Sequence, residues 1–94
     1  MTTENTVILQ QQERSGCHYQ FNGNIVMTAN FSRTFEDNLF FIVLESLAKI
    51  RELTLNEEGA DYFQVLTFNN KKYWVIQDGP EDRGLITFLM PEDY

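Results

Sequence analysis

Ninety-four residues, 43% of them hydrophobic and 14% aromatic, suffice for one folded domain with a single core and are too few for a separate catalytic lobe. A formal charge of −7 and a pI near 4.5 oppose direct binding to nucleic acid or an anionic membrane, since phosphate binding runs on Lys and Arg, and favour basic partners instead. A lone Cys17 excludes an internal disulfide, the first residues lack the basic head and apolar run of a secretory leader, and the longest apolar run, Leu39 to Leu44, is far below the ~20 residues of a membrane span, so a reduced, cytoplasmic protein is expected.

The chain reads as a single domain over residues 1–94, with the type of the first sixteen residues left open. Thr6 to Leu9 suits a strand, while Gln10 to Arg14 suits a helix stopped at Gly16, and the balance leans to helix. His18–Phe21 and Asn24–Ala29 flank Asn22-Gly23, a pair suited to a type I′ turn, and predict a hairpin. Thr34 fits a helix cap, its hydroxyl accepting from the Asp37 amide, with Glu36 and Asp37 at the positive end of a helix from about Phe35 to Glu52. The stripe Leu39, Phe40, Val43, Leu44, Leu47 and Ile50 recurs at helical spacing opposite Asn38, Glu45, Lys49 and Glu52. Ile42 falls among the polar positions and Phe41 at their border, so the apolar arc is wider than one sheet contact requires. Thr54 to Ala60 reads as a polar loop.

Three runs rich in β-branched and aromatic residues follow, Tyr62–Phe68, Tyr73–Gln77 and Leu85–Met90, and predict an antiparallel meander. Centring the first turn on Asn70-Lys71 pairs Phe68 with Tyr73 and Thr67 with Trp74. Faces then separate by the period of two. Phe63, Val65, Trp74, Ile76, Ile86 and Phe88 are assigned to the helix, which makes Trp74 a core residue whose truncation to Ala should cost about 3–5 kcal/mol. Leu66, Phe68, Tyr73, Val75, Leu85 and Leu89 form a second apolar face, to be covered by the N-terminal segment, a second copy or another protein. The expected architecture is α+β: two layers, one long helix on an antiparallel sheet of about five strands.

Chemistry-bearing residues are few. Cys17-His18 lacks further ligands or an orienting acid, a single His rules out a His-based metal site, and the acids show no EF-hand spacing, so neither catalytic residue, cofactor nor metal is expected. The strand aromatics lack the interleaved Arg and Lys of a base-stacking groove. Charge is more informative. A hairpin brings the residues outside its two strands to one end, so Asp61 and Asp78 should be neighbours and gather Glu57, Glu58, Glu81 and Asp82 around them, offset by Arg83 alone. At the far end Lys71 and Lys72 should lie near Glu92 and Asp93. The acidic end, with Leu66, Phe68, Tyr73, Val75, Phe41 and Ile42, forms the expected protein-binding set, for a basic nucleic-acid-binding protein or, through the apolar residues, a homodimer.

Gly23–Ala29 before a helix, Tyr73–Asp78 before a Pro-and-Asp loop, and the ending Leu85–Tyr94 resemble a family of small bacterial, often plasmid-borne, proteins of unknown function, with the pattern G-x-V-V-x-T-A-G, then W-K-I-D-Y-Y-D and a D-P-x-D-P loop, then L-T-I-M-L-A-x-E-Y. The resemblance covers about residues 23–94. The family's G-x-H-D-F-G becomes Gly59–Phe63 without the His, and the Lys and Asp of its Trp strand become Val75 and Gln77. The resemblance implies no reaction. It implies an accessory protein of plasmids or phages, a class that includes inhibitors of host defence of the anti-CRISPR or anti-restriction type; the alternatives are a structural homodimer and a small enzyme.

Overall fold

In a computed structural model, which describes residues 6–12, 16–57 and 59–94, five strands form one sheet in the order β1-β3-β4-β5-β2. The strands are β1 (Val7–Leu9), β2 (Gly23–Met27), β3 (Phe63–Phe68), β4 (Lys71–Asp78) and β5 (Gly84–Leu89). Two helices, α1 (Ala29–Thr34) and α2 (Leu39–Glu57), joined by a 3-10 turn at Glu36–Asn38, cover one face. The two-layer α+β architecture is as expected. The sheet, however, is mixed, because β2 runs parallel to β5 while the other pairings are antiparallel.

The hairpin expected around Asn22-Gly23 does not form. Positive φ falls on Phe21 (52°) and Gly23 (136°), and the chain turns into β2 against β5 instead. Gly23 is required there, since a Cβ would sit 1.8 Å from the Gly84 carbonyl oxygen. Residues 16–22 form a strap across one end of the sheet: Tyr19 exchanges backbone hydrogen bonds with Ala60 at 3.0 and 2.8 Å, and the Gln20 amide donates to the Glu81 carbonyl at 2.9 Å. Val7–Leu9 is a strand, paired with Phe68–Leu66, and not the start of a helix, because the β3 edge supplies the hydrogen bonds that such a short apolar run lacks alone. The stretch Glu13 to Ser15 lies outside the described residues.

The helical region begins earlier and breaks. Thr28 caps α1, its hydroxyl oxygen accepting from the Phe31 amide at 3.1 Å. Thr34 does not cap the next helix; its hydroxyl donates back to the Asn30 carbonyl at 2.7 Å. After a break at Phe35, α2 runs on to Glu57, and the Gly59 amide bonds the Thr54 carbonyl at 2.8 Å, so much of the expected polar loop is helix.

The meander holds, with its first register moved by two residues: Phe68 opposes Lys71 and Val65 opposes Trp74. Asn69 and Asn70 form the turn, both with positive φ (50° and 68°), a conformation that Asn tolerates better than Lys. A shift of two preserves side-chain alternation, so the β3–β4 faces separate as expected, yet the helices cover the opposite one. Leu66, Phe68, Tyr73 and Val75 point inward with Ile86 and Phe88, whereas Phe63, Val65, Trp74, Leu85 and Leu89 share the outer face.

The cause is visible at Tyr73. Its side chain is fully buried and its hydroxyl meets that of Ser46, also fully buried, at 2.5 Å. That contact rotates α2 so that Ile42, Val43, Ser46, Leu47, Ile50 and Thr54 face the sheet, while Phe40 and Leu44 turn outward, 78% and 53% exposed. Phe31 fills the space beside Tyr73, with ring centroids 5.4 Å from Tyr73, 5.3 Å from Phe88 and 5.1 Å from Phe35.

Candidate functional site

The acidic end is assembled from the C-terminus of α2, the strap and the β4–β5 loop. The Gln77 amide of β4 donates to the Tyr62 carbonyl at 3.0 Å, continuing the β3–β4 ladder to the level where Asp61 and Asp78 flank it. Asp78, Glu81, Asp82 and Glu57 are exposed. Glu58 lies outside the described residues. Asp61 departs from the expectation: it is buried, its Oδ1 accepts from the Phe63 amide at 3.4 Å, and its own amide donates to Gln12 Oε1 at 2.9 Å. Bonding the first amide of β3 uses this carboxylate inside the fold, which removes it from the surface set.

The β4–β5 loop that presents Glu81 and Asp82 is braced from the core. Gln77, buried on the inner face, donates its side-chain amide to the carbonyls of Pro80 at 2.8 Å and Glu81 at 3.2 Å, while Gln20 of the strap bonds Glu81 from the other side. Gln64 acts similarly one strand away, donating to Asp61 O at 2.9 Å and Gln12 Oε1 at 3.1 Å. Two buried glutamines, which dilute the apolar pattern of their strands, thus shape the rim. The sequence signal for them is a polar residue at an inward position.

The apolar members of the expected binding set are distributed differently. Leu66, Phe68, Tyr73, Val75 and Ile42 belong to the core, beneath α1 and α2, so no partner reaches them while the fold is closed. Phe41 alone keeps substantial exposure, 42%, with its ring 6.1 Å from Phe68. The exposed apolar surface lies elsewhere. On the outer face, Trp74 packs half-buried between Phe63 (4.8 Å between ring centroids) and the C-terminal Tyr94 (5.3 Å). Trp74 is therefore not a core residue under the helix.

Tyr94 is brought there by a 3-10 turn at Pro91–Asp93. Asp93 accepts from the Thr28 hydroxyl at 2.6 Å, the Met90 amide at 3.0 Å and the Asn30 amide group at 3.4 Å. These donors, Thr28 foremost, hold the Asp93 carboxyl below its ordinary value. Its partners are thus Thr28, Met90 and Asn30, where the sequence suggested Lys71 and Lys72.

On the helix side a groove of about 710 Å³ opens between α2 and the end of β2, lined by Met27, Leu39, Phe40, Phe41, Val43 and Leu44 together with Glu36, Asp37 and Asn38. Cys17 is half-buried and His18 exposed, and among the described residues no group of three His, Cys, Asp or Glu side chains is placed to hold a metal ion. Among the described residues no helix is long and apolar enough to cross a membrane. No family model, curated protein or solved structure matches the chain.

Proposed function

We propose that the chain is a small acidic, non-enzymatic binding protein that covers a basic surface of another protein, of the kind that ordinarily holds nucleic acid, and acts there as an inhibitor by occlusion. The supporting observation is the braced acidic loop: Asp78, Glu81 and Asp82 are exposed at a β4–β5 connection tied to the core through Gln77 and to the strap through Gln20, and Glu57 is exposed at the end of α2. Carboxylates on a fixed frame lose little freedom on binding, and a cluster of net negative charge, offset by Arg83, steers a cationic surface toward it. The resemblance to small plasmid- and phage-borne proteins is the reason for reading the occlusion as counter-defence in the cytoplasm of a host cell.

Capture of host proteins on the immobilised chain tests this. The expected catch is a basic nucleic-acid-binding protein that is released by rising salt and displaced by added duplex DNA or RNA. Asp78→Lys, Glu81→Lys and Asp82→Lys together should slow its association roughly tenfold or more and change folding stability by no more than about 0.5 kcal/mol. Binding that resists salt and survives the triple reversal would overturn the reading.

A further inference from the structure

Between Arg14 and Arg33 the sequence contains no Asp, Glu, Lys or Arg, although 22% of the chain is charged. β2 lies in the middle of this stretch and forms one edge of the sheet. The Gly84 amide donates to Asn22 O at 2.9 Å and the Thr28 amide to Phe88 O at 3.0 Å, which turns the backbone polar groups of the even-numbered residues toward β5. The N–H and C=O groups of Gly23, Ile25 and Met27 consequently face the open edge.

Edge strands are ordinarily blunted by brevity, charge, Pro or a bulge. β1, at the opposite edge, is three residues long and runs on into polar Gln10–Gln12. β2 has five residues, Gly-Asn-Ile-Val-Met, and none of these protections; Ile25 and Val26 are each 40% exposed. Ile25 and Met27 share the helix-side face with Ile86 and Phe88, and Met27 lines the groove whose other wall is Leu39, Phe40, Val43 and Leu44.

We propose that β2 is a self-pairing edge: a second copy adds its own β2 antiparallel about a two-fold axis through Ile25, and each copy's groove between α2 and β2 closes against the other. The register follows from the outward groups. Centred on Ile25, the pairing sets Ile25 against Ile25 and Gly23 against Met27, so the outward donors and acceptors of all three residues are paired, whereas centring on Asn24 pairs only Gly23 with Ile25 and leaves Met27 unpaired, and centring on Val26 pairs only Ile25 with Met27 and leaves Gly23 unpaired. Two chains of charge −7 repel; β2 itself carries no charge, the acidic residues brought toward the partner are Glu36 and Asp37 of the groove, and the antiparallel arrangement sends the loops bearing Glu81 and Asp82 in opposite directions. Phe40, Leu44, Ile25 and Val26 supply on the order of half of the ~800 Å² per partner that a stable interface buries, and the strand backbone and groove walls supply the remainder. The inference is independent of the acidic-end reading, because reversing Asp78, Glu81 and Asp82 leaves the β2 edge unchanged.

The test reads mass, register and groove separately. Sedimentation of the whole chain at rising concentration should pass from 11.1 kDa to twice that mass. In hydrogen exchange the Val26 and Thr28 amides should be protected at every concentration, and the Ile25 and Met27 amides only in the dimer. In a Cys17→Ser background, Ile25→Cys should oxidise to a cross-linked dimer, since partners in a hydrogen-bonded antiparallel pair lie about 5.5 Å apart, while Asn24→Cys and Val26→Cys should not. Phe40→Asp with Leu44→Asp, both at exposed positions, should weaken the dimer at least tenfold with an unchanged circular dichroism spectrum. A monomer at all concentrations, Ile25→Cys cross-linking no faster than its two neighbours, or an Ile25 amide protected only by another protein's strand would overturn the proposal.

Discussion

The two faces of the central hairpin are made of similar material and have opposite fates. Leu66, Phe68, Tyr73 and Val75 on one side are at most 2% exposed, while Phe63, Val65 and Trp74 on the other, on the face away from α1 and α2, stay half-buried. Hydrophobicity does not separate them, since the outer face carries the only Trp of the chain. What separates them is a polar handle: the Tyr73 hydroxyl has a buried partner in Ser46, and Phe31 and Phe35 wedge against the same ring at 5.4 and 5.3 Å. A layer is chosen by where side chains interlock and polar atoms are satisfied, and total apolar area only requires that some layer exist.

The contrast is broken most severely at Phe31. It is fully buried and touches three aromatic rings, so Phe31→Ala should cost about 3–5 kcal/mol, enough to unfold much of a population of this size in a urea titration. Tyr73→Phe keeps the ring and leaves the Ser46 hydroxyl buried without its partner, at a cost of about 1–3 kcal/mol. The same residue sets an alkaline limit. Burial pushes the Tyr73 hydroxyl well above its ordinary 10.0, with the Ser46 hydrogen bond pulling the other way. The folded state therefore holds a proton that the unfolded state releases, and stability is full below pH 10 and falls as pH rises above it. Tyr73→Phe should show a shallower alkaline loss in parallel melts.

On the outer face the effects shrink. Trp74→Ala should cost only about 1–2 kcal/mol, the value of two ring contacts and partial burial, in place of the 3–5 of a core aromatic. A loss as large as that of Phe31→Ala would mean that this face is sealed in solution, by a partner or a second copy. The smallest effect concerns the C-terminal turn. Asp93 is held below its ordinary 3.8, so the stability it lends is present above that value and lost as pH falls through the lowered one. Acid titration followed by Trp74 fluorescence should report the release of Tyr94 from the indole before global unfolding, and Asp93→Asn should show the released spectrum at neutral pH.

Much of this arrangement is legible along the chain. The alternation in Tyr62–Phe68 and Tyr73–Gln77, with asparagines between them, specifies a hairpin and sorts its side chains into two sets, because a period of two survives a register error of two. The same local logic carries Asp78, Glu81 and Asp82 to one end of the hairpin. Asp61 escaped it, since pairing tells which end a residue occupies and not whether its carboxylate turns in to bond a backbone amide.

Three features were decided by tertiary structure alone. β2 could form a local hairpin through Asn22-Gly23, yet it joins β5 as a parallel neighbour because Gly23, without a Cβ, lets its backbone touch that of Gly84, a fit between residues far apart in sequence. The rotation of α2 could not be read from its own stripe, for Phe40 and Leu44 belong to that stripe and turn outward whereas Ile42, set among the polar positions, turns inward with Ser46, which meets the Tyr73 hydroxyl. The open β2 edge and its groove follow from both. Alternation and helical periodicity are properties of neighbours, whereas the choice of covered face depends on where distant segments return, and that is set by contacts no short window of sequence contains.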